Sequence, residues 1–327
     1  MILMTGGTGF IGRQLLARLI DRRERIRVLV RPQSVARLSS GAEMETIVGD
    51  VTDADLVKKG MEGCEVVIHL AALRDRWHLD RSEFEQVNVC GTRLVLEAAL
   101  AAGVQKVLHV STALVLGPSQ GRPQHEEDQG SLTRFVNEYQ RTKFLADLEV
   151  RLLLEKGLPV VTLFPSTTYG PSMTRGESPV TDIALAFARG GFVPRIGMGV
   201  HRRNLVYVED VVSGMLLALD RGQPGTGYIL GGENVSPLEL LTLLEELTGR
   251  PVSRWQIPMW MARGVGGLAE AMACVVQRRP PFSRSTIDIL SQEWMVSSER
   301  AKAELGYRPI PLQEGLRRTL VACLERN

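Results

Sequence analysis

The chain has 327 residues, enough for one large α/β unit or two domains of ordinary size. Hydrophobic residues make up 44% and charged residues 23%, the balance of a globular protein in water, and a net charge of +2 leaves no basic footprint for nucleic acid. Cys64, Cys90, Cys274 and Cys323 lie apart, without Cys-x-x-Cys or Cys/His spacing, which argues against a disulfide framework or a metal site and fits a reducing cytoplasm.

Met1 opens directly into the apolar run MILM with no basic leader, so no secretory signal is expected. TGGTGFIG follows at 5–12 and merges into a helical pattern over 9–23. Further strand-like runs are IRVLV (26–30), METIV (44–48), EVVIHL (65–70), KVLHV (106–110) and PVVTL (159–163). Helical patterns at 83–102 and about 135–156, and a short one after Thr52, separate most of them. Strands apolar on both faces and alternating with helices predict a parallel sheet covered on both sides. The expected fold class is therefore α/β, a doubly wound Rossmann-type sheet with a smaller, mostly helical C-terminal cap.

After Pro165 the rhythm breaks. Residues 170–204 are rich in glycine, proline and arginine, and NLVYVEDVVSGMLLALD and YILGG then read as a return to the sheet. Residues 235–327 read as mostly helical with proline punctuation. This predicts a dinucleotide-binding domain of residues 1–168 and 203–231, and a substrate-binding cap of 169–202 and 232–327. PMWMARGVGGLAEAMACVV (258–276) is the most membrane-like stretch, but Arg263, Glu270 and four Gly or Pro residues interrupt it. It reads as a cap helix rather than a spanning one, with a membrane-facing or lipid-admitting helix as the alternative.

Gly6, Gly9 and Gly12 stand between the first strand and the first helix, one residue longer than the G-x-G-x-x-G fingerprint. The demands are the same: a tight turn, close approach to a pyrophosphate, and amide donors with positive dipole at a helix N-terminus. Thr8, Phe10 and Ile11 belong to the same binding loop. Arg31 stands at the end of the second strand, where an NAD-specific protein usually places an acid on the ribose hydroxyls. With Ser34 and Arg37 close behind, it favours NADP(H), since a guanidinium suits the 2′-phosphate; NAD(H) stays open. Asp50, in GDVTD, is expected to accept from the adenine amino group, with Val51 against the ring. Leu70, Ala71 and Ala72 supply small side chains beside the cofactor backbone, and His69 reads as a packed strand residue.

Tyr139 and Lys143, in YQRTK, share one face of a helix at i, i+4. The pieces together resemble the extended short-chain dehydrogenase/reductase superfamily. TGGTGFIG, GDVTD, HLAA, NVCGT (88–92), VSTALVLG (110–117), YQRTK, PSTTYGP (165–171), NLVYVEDV (204–211) and ELGYRP (304–309) fall in the family's order. VRPQS, NLVYVEDV and YILGGEN are most similar to its dihydroflavonol-reductase-like group, which includes hopanoid-associated epimerase-like proteins and borders the 3β-hydroxysteroid dehydrogenases.

The resemblance implies that Tyr139 is the general acid/base and that Lys143 activates it and bonds the nicotinamide ribose. An ammonium about 4 Å from a phenol, at an effective dielectric near 20, is worth roughly 4 kcal/mol, or about three pKa units. Counting back from Gly117 places the family's hydroxyl partner at Thr112, with Ser111 as assistant or substitute. Asn88 is implied in support, and Pro165 and Thr168 on the nicotinamide side. For the substrate, Trp77, Leu114, Leu116 and Tyr169 are expected to form an apolar wall, and Arg203 matches the diphosphate-binding arginine of nucleotide-sugar members. Phe164, where many of those members carry arginine, speaks against sugar-nucleotide chemistry.

The expected function is NADP(H)-dependent interconversion of a ketone and a secondary alcohol on a steroid-, terpenoid- or flavonoid-like skeleton. The alternatives are a nucleotide-sugar epimerase or dehydratase with retained NAD, and a non-catalytic nucleotide-binding regulator. A small-molecule substrate, a homodimer through the helices at 83–102 and 135–156, and no stable membrane insertion complete the expectation.

Overall fold

The computed structural model describes all residues except 39–43, 75–80, 129–131, 133, 254, 277–283, 326 and 327. The nucleotide half runs β1 (Ile2–Thr5), α1 (Phe10–Asp21), β2 (Ile26–Val30), β3 (Glu45–Val48), α2 (Ala54–Met61), β4 (Val66–His69), α3 (Ser82–Glu85), α4 (Gly91–Ala102), β5 (Lys106–Val110), α5 (Glu138–Glu155) and β6 (Val160–Pro165). A wide helical turn, Gln86–Cys90, joins α3 to α4. The chain continues through β7 (Thr167–Tyr169), α6 (Pro179–Ala188), β8 (Arg195–Ile196), β9 (Arg203–Tyr207), α7 (Val208–Arg221), β10 (Gly227–Leu230) and β11 (Glu233–Val235). It ends with α8 (Pro237–Thr248), β12 (Gln256–Ile257), α9 (Met259–Val276), α10 (Arg284–Leu290) and α11 (Leu312–Leu324).

Among the described residues one parallel sheet takes the order β3-β2-β1-β4-β5-β6-β10. The order reverses between β1 and β4, so the loops after these two strands face each other across the switch point, where such sheets bind ligands. On one face α1 and α7 bury Leu15, Leu16, Leu19, Val211, Val212 and Met215 against the sheet. On the other, α2, α4 and α5 bury Val57, Val95, Leu96, Ala99, Val150 and Leu153. Strands covered on both faces are what the uninterrupted apolar runs required.

The strand boundaries follow the sequence closely, and the helix starts follow the caps. Asp53 caps α2 by accepting from Asp55 N and Leu56 N, both at 3.1 Å. Asn137 caps α5 through Gln140 N at 2.8 Å, so this helix begins at Glu138 rather than near 135 and Tyr139 falls in its first turn. YILGG does return to the sheet as β10, but NLVYV does not. Its strand β9 runs parallel to β7 and antiparallel to β11 in a separate three-stranded sheet. Asn204 locks that corner by bonding Ser166, Gly232 and Asn234.

The C-terminal segment is held by buried polar contacts. Asp210, in the first turn of α7, accepts from Ile310 N at 3.0 Å, and Tyr169 donates to Leu312 O at 3.3 Å. Burial pushes the Asp210 carboxyl up to about 6. A folded-state value above the unfolded one means that this group's contribution to stability is present at low pH and is lost as pH rises through 6. Asp210→Asn keeps an acceptor for Ile310 and removes that dependence. Its Tm should exceed the wild type's by roughly 1–2 °C at pH 7.5, the effect of about 1 kcal/mol in a chain of this size, with the gap closing by pH 5. Equal gaps at both pH values, by thermal melts, would refute the assignment.

Candidate active site

The glycine loop is built by contact with the strand across the switch point. Gly6 has φ +75°, and a Cβ there would lie 2.6 Å from Ala71 N and 2.7 Å from Leu70 C. At Gly12 a Cβ would lie 2.1 Å from Gly6 O, so the helix can start against the loop only with glycine. Gly9 is different. It is exposed, and a Cβ there would meet only Gly6 O, at 3.3 Å. The protein's own packing constrains that position less than Gly6 or Gly12 and leaves its backbone open to close approach from outside.

No side chain caps α1 and no acid stands in its first turn, which leaves the amides of Phe10, Ile11 and Gly12 available to an anion. Thr8 is half-buried at the rim. These features fit the pyrophosphate of a dinucleotide. Arg13 reaches outward from the first turn and forks onto Glu177 with two 2.9 Å bonds, and Arg74 donates to Glu177 O, tying the loop to the chain after β7.

Arg31 follows β2 half-exposed; its carbonyl accepts from Ser34 N at 2.8 Å, its guanidinium makes no hydrogen bond or ion pair among the described residues, and Ser34 behind it is buried. Asp50 accepts from Thr52 N at 3.1 Å and Thr52 Oγ1 at 3.0 Å, forming a turn of its own and leaving the capping to Asp53. Val51 is buried in the core against Gly91, so its side chain does not form the adenine wall; only its backbone is left to face a ligand. Ala71 N donates to Thr5 Oγ1 at 3.2 Å, and Ala72 is exposed.

The candidate reacting groups stand after the C-terminal end of β5 and in the first turns of α5. Lys143 is fully buried, and its Nζ donates to Val110 O at 2.8 Å. Burial pulls its ammonium down to about 8, with Asp147 one turn later acting in the opposite direction. Tyr139 is half-buried one turn before it. Thr112 is half-exposed and accepts a long 3.4 Å bond from Leu114 N, and among the described residues its hydroxyl proton has no acceptor.

Ser111 is corrected by the structure. Its hydroxyl is buried and donates to Asp147 Oδ2 at 2.6 Å, which commits it to the interior. Asp147 Oδ1 meets His109 Nε2 at 3.0 Å. A carboxylate can only accept, so Nε2 carries the proton there. Burial, with Lys143 nearby, lowers His109, and burial with His109 and Lys143 holds His69 far below the usual histidine value.

Asn88 is buried and works as a clamp. It accepts from Leu73 N at 2.6 Å and donates to Leu73 O at 3.0 Å and to Thr142 Oγ1 at 2.9 Å. It thus fixes the chain after β4 to the helix that carries Tyr139. His69 bridges Thr5 Oγ1 at 2.8 Å and Thr92 Oγ1 at 3.0 Å, and is the packed strand residue expected.

Gln140, Thr142 and Asp147 are positioning residues that the sequence reading did not single out. Gln140 is fully buried beside Tyr139. Its Nε2 donates to Leu114 O at 2.8 Å, and its Oε1 accepts from Val136 N at 2.8 Å, so it sets the Thr112–Leu116 turn against the start of α5. The visible signal was spacing: Lys143 and Asp147 repeat the i, i+4 relation of Tyr139 and Lys143.

The expected substrate wall is only partly assembled. Leu114 is half-exposed beside Thr112. Leu116 and Phe164 are instead buried in one apolar cluster with Ile229 and Val296, so Phe164 says nothing about the substrate. Tyr169 is fully buried, packs on Tyr207 and touches the Gly315 position of α11, which removes it from the wall. Pro165 and Thr168 are buried at the end of β6 and in β7. Trp77 lies outside the described residues. Arg203 starts β9 with Nε and Nη2 buried and without partners among the described residues, and burial lowers it to about 10.

The model of the NAD dependent epimerase/dehydratase family matches residues 2–231. The chain belongs to this family. It is an extended short-chain dehydrogenase/reductase and an NAD(P)-dependent oxidoreductase. It is 34% identical over 96% of its length to the 4-hydroxy-2-methyl-3-oxo-4-farnesyl-3,4-dihydroquinoline-1-oxide ketoreductase of Stigmatella aurantiaca, covering 93% of that protein. It is 33% identical over 94% of its length to sterol demethylase protein B of Methylococcus capsulatus, covering 93% of it. The dTDP-glucose 4,6-dehydratase DesIV of Streptomyces venezuelae, solved with NAD and TYD, superposes with TM-score 0.76 at 25% identity, over 99% of this chain and 97% of that one.

The two hydroxyls after β5 should separate by experiment. Thr112→Ala should lower kcat about 10²–10³-fold, the effect of losing one donor to a developing oxyanion, with Tm retained. Ser111→Ala should leave kcat within a few-fold and cost about 1–3 kcal/mol of stability by denaturant titration, because a buried carboxylate loses a donor. The reverse pattern would return the role to Ser111.

Proposed function

We propose that the protein is an NADP(H)-dependent oxidoreductase that interconverts a ketone and a secondary alcohol on an apolar, ring-containing substrate. The observation that carries this reading is the convergence after β5: Thr112 with its hydroxyl proton uncommitted, and Tyr139 one turn from a buried ammonium, beside an apolar Leu114. The ketoreductase and sterol-enzyme relatives support it, since both are more similar in sequence than the dehydratase.

When bound, the nicotinamide supplies or accepts the hydride at the carbinol carbon. In reduction, Tyr139 gives its phenolic proton to the substrate oxygen as that carbon becomes tetrahedral, and Thr112 donates a hydrogen bond to the same oxygen. Lys143 stabilises the phenolate left on Tyr139 by its charge. Oxidation runs through the same groups in reverse. Gly6, Gly9 and Gly12 with the α1 amides hold the pyrophosphate, Asp50 the adenine side, and Pro165 and Thr168 the nicotinamide side.

Arg31 carries the preference for NADP(H). Its guanidinium has no protein partner among the described residues and stands at the end of the second strand, where this fold class receives the adenosine ribose. A second reading rests on Arg203. A guanidinium whose Nε and Nη2 are buried without partners among the described residues calls for an anion, and the substrate of a nucleotide-sugar epimerase or dehydratase would supply a diphosphate there.

Tyr139→Phe should lower kcat by about 10²–10⁴-fold for a ketone substrate while cofactor affinity changes little. Unchanged turnover would remove every chemistry that uses the phenol and leave a nucleotide-binding regulator. In the wild type, carbonyl reduction should decline as pH rises through about 8, where Lys143 loses its charge; a profile flat to pH 9.5 would refute that role.

Fluorescence titration should show NADPH binding more tightly than NADH and exchanging freely, with the preference lost in Arg31→Asp. Retained NAD that resists dialysis would favour the nucleotide-sugar reading instead.

A further inference from the structure

Helix α9 is turned inside out. The side facing the cap is made of small residues, with Ala262, Gly266, Gly267 and Ala273 buried. The side facing water carries Trp260 (73% exposed), Met261, Val265, Leu268 (69%) and Met272 (61%), with Gly264 and Ala271 between them. That spacing is one helical stripe, and it is apolar from end to end. Globular helices place such a stripe inward, and an outward one of this length marks an interaction surface.

Further exposed apolar side chains lie near the helix. Strand β12 pairs in parallel with β8, which brings the turns after both strands together; a Cβ on Gly197 would lie 2.8 Å from the Met259 methyl. Met198 (76% exposed) and Val200, in the turn after β8, therefore lie beside the start of α9. Trp255 (74%) is exposed just before β12, so two of the chain's four tryptophans, Trp255 and Trp260, face water around this segment.

Charge decides what covers this edge. Residues 250–292 contain six arginines and no lysine against only Glu270 and Asp288, whereas the whole chain is +2, so the remainder is net negative. Arg263 flanks the stripe and is steadied by Asp288 at 2.9 Å. A second copy pressed onto this face would bring two arginine-rich segments together. An anionic surface with an apolar interior suits both features, and indole rings favour that boundary. No helix among the described residues is long and apolar enough to cross a membrane.

We infer that the α9 edge is a peripheral membrane-docking surface, which lays its apolar stripe into an anionic lipid bilayer. The inference does not depend on the substrate proposed above. It is tested with the full-length protein, by co-sedimentation with vesicles of phosphatidylcholine alone or mixed with phosphatidylglycerol. Binding to the mixed vesicles is expected, weaker on phosphatidylcholine by roughly fivefold for each arginine engaged, and reduced by salt. Tryptophan fluorescence should shift to the blue on binding.

The double variant Trp260→Glu, Leu268→Glu alters only exposed side chains and should abolish vesicle binding while cofactor binding and Tm stay as in the wild type. Three results would overturn the inference. One is no binding to either vesicle; another is vesicle binding that survives the double variant. The last is a wild-type oligomer that the variant dissociates in sedimentation velocity, which would make this face a contact between copies.

Discussion

A buried ammonium organises the catalytic half of this protein. Lys143 is withdrawn from water at the junction of β5 and α5, and an unpaired charge there would cost several kcal/mol. Val110 O takes one of its protons, and Asp147 supplies the compensating negative charge one turn along the helix. Asp147 must then be held in turn, which occupies His109 Nε2 and the Ser111 hydroxyl. Both strand histidines are kept neutral by burial and by the same lysine, so they do not compete for the carboxylate's charge. Of two adjacent hydroxyls after β5, the first is consumed in supporting the charge and the second keeps its proton uncommitted among the described residues.

The switch point applies a similar constraint to the cofactor side. Because β1 lies beside β4, the backbone after Thr5 runs against the backbone after His69, and Gly6 is the only residue type that fits between them. The chain Ala71 N, Thr5 Oγ1, His69, Thr92 Oγ1 and Asn88 O continues that contact inward as hydrogen bonds. Asn88 then reaches across to Leu73 and Thr142. The glycine loop and the helix of Tyr139 are thus coupled through buried polar groups rather than through apolar packing alone, a device that fixes relative position closely because each group must keep its partner.

The cap follows different rules from the sheet. It is tied down by polar contacts at its edges, Arg13 with Glu177, Asp210 with Ile310 N and the capping box of Ser236 with Glu239, and its own core is the Tyr169–Tyr207–Leu312 cluster. Among the described residues, helix α9 alone of its helices turns a row of large apolar side chains outward, while α11 buries Leu312, Leu316 and Leu320. A helix with glycine and alanine on its inner face can approach its neighbours closely, but it offers them little area to bury, which leaves the bulky face for something else.

How much of this the sequence determined depends on range. Strand and helix order, the glycine loop, the Tyr139–Lys143 spacing and the identity of Gly6 and Gly12 follow from local patterns, because each is specified by neighbours within a turn or two of chain. Tertiary contacts decided the rest. Ser111 and Thr112 are indistinguishable as adjacent hydroxyls until α5 brings Asp147 to one of them. Tyr169 read as a wall residue after β6 and Phe164 as a substrate clue at its end, yet α11 and β10 cover them. The strand NLVYV looked like a sheet member because its apolar run is the same whichever sheet it joins; pairing with β7 and β11 sends it elsewhere. The α9 stripe was legible as periodicity, but which side of a periodic helix faces water is a property of what packs against it, and only the folded chain supplies that.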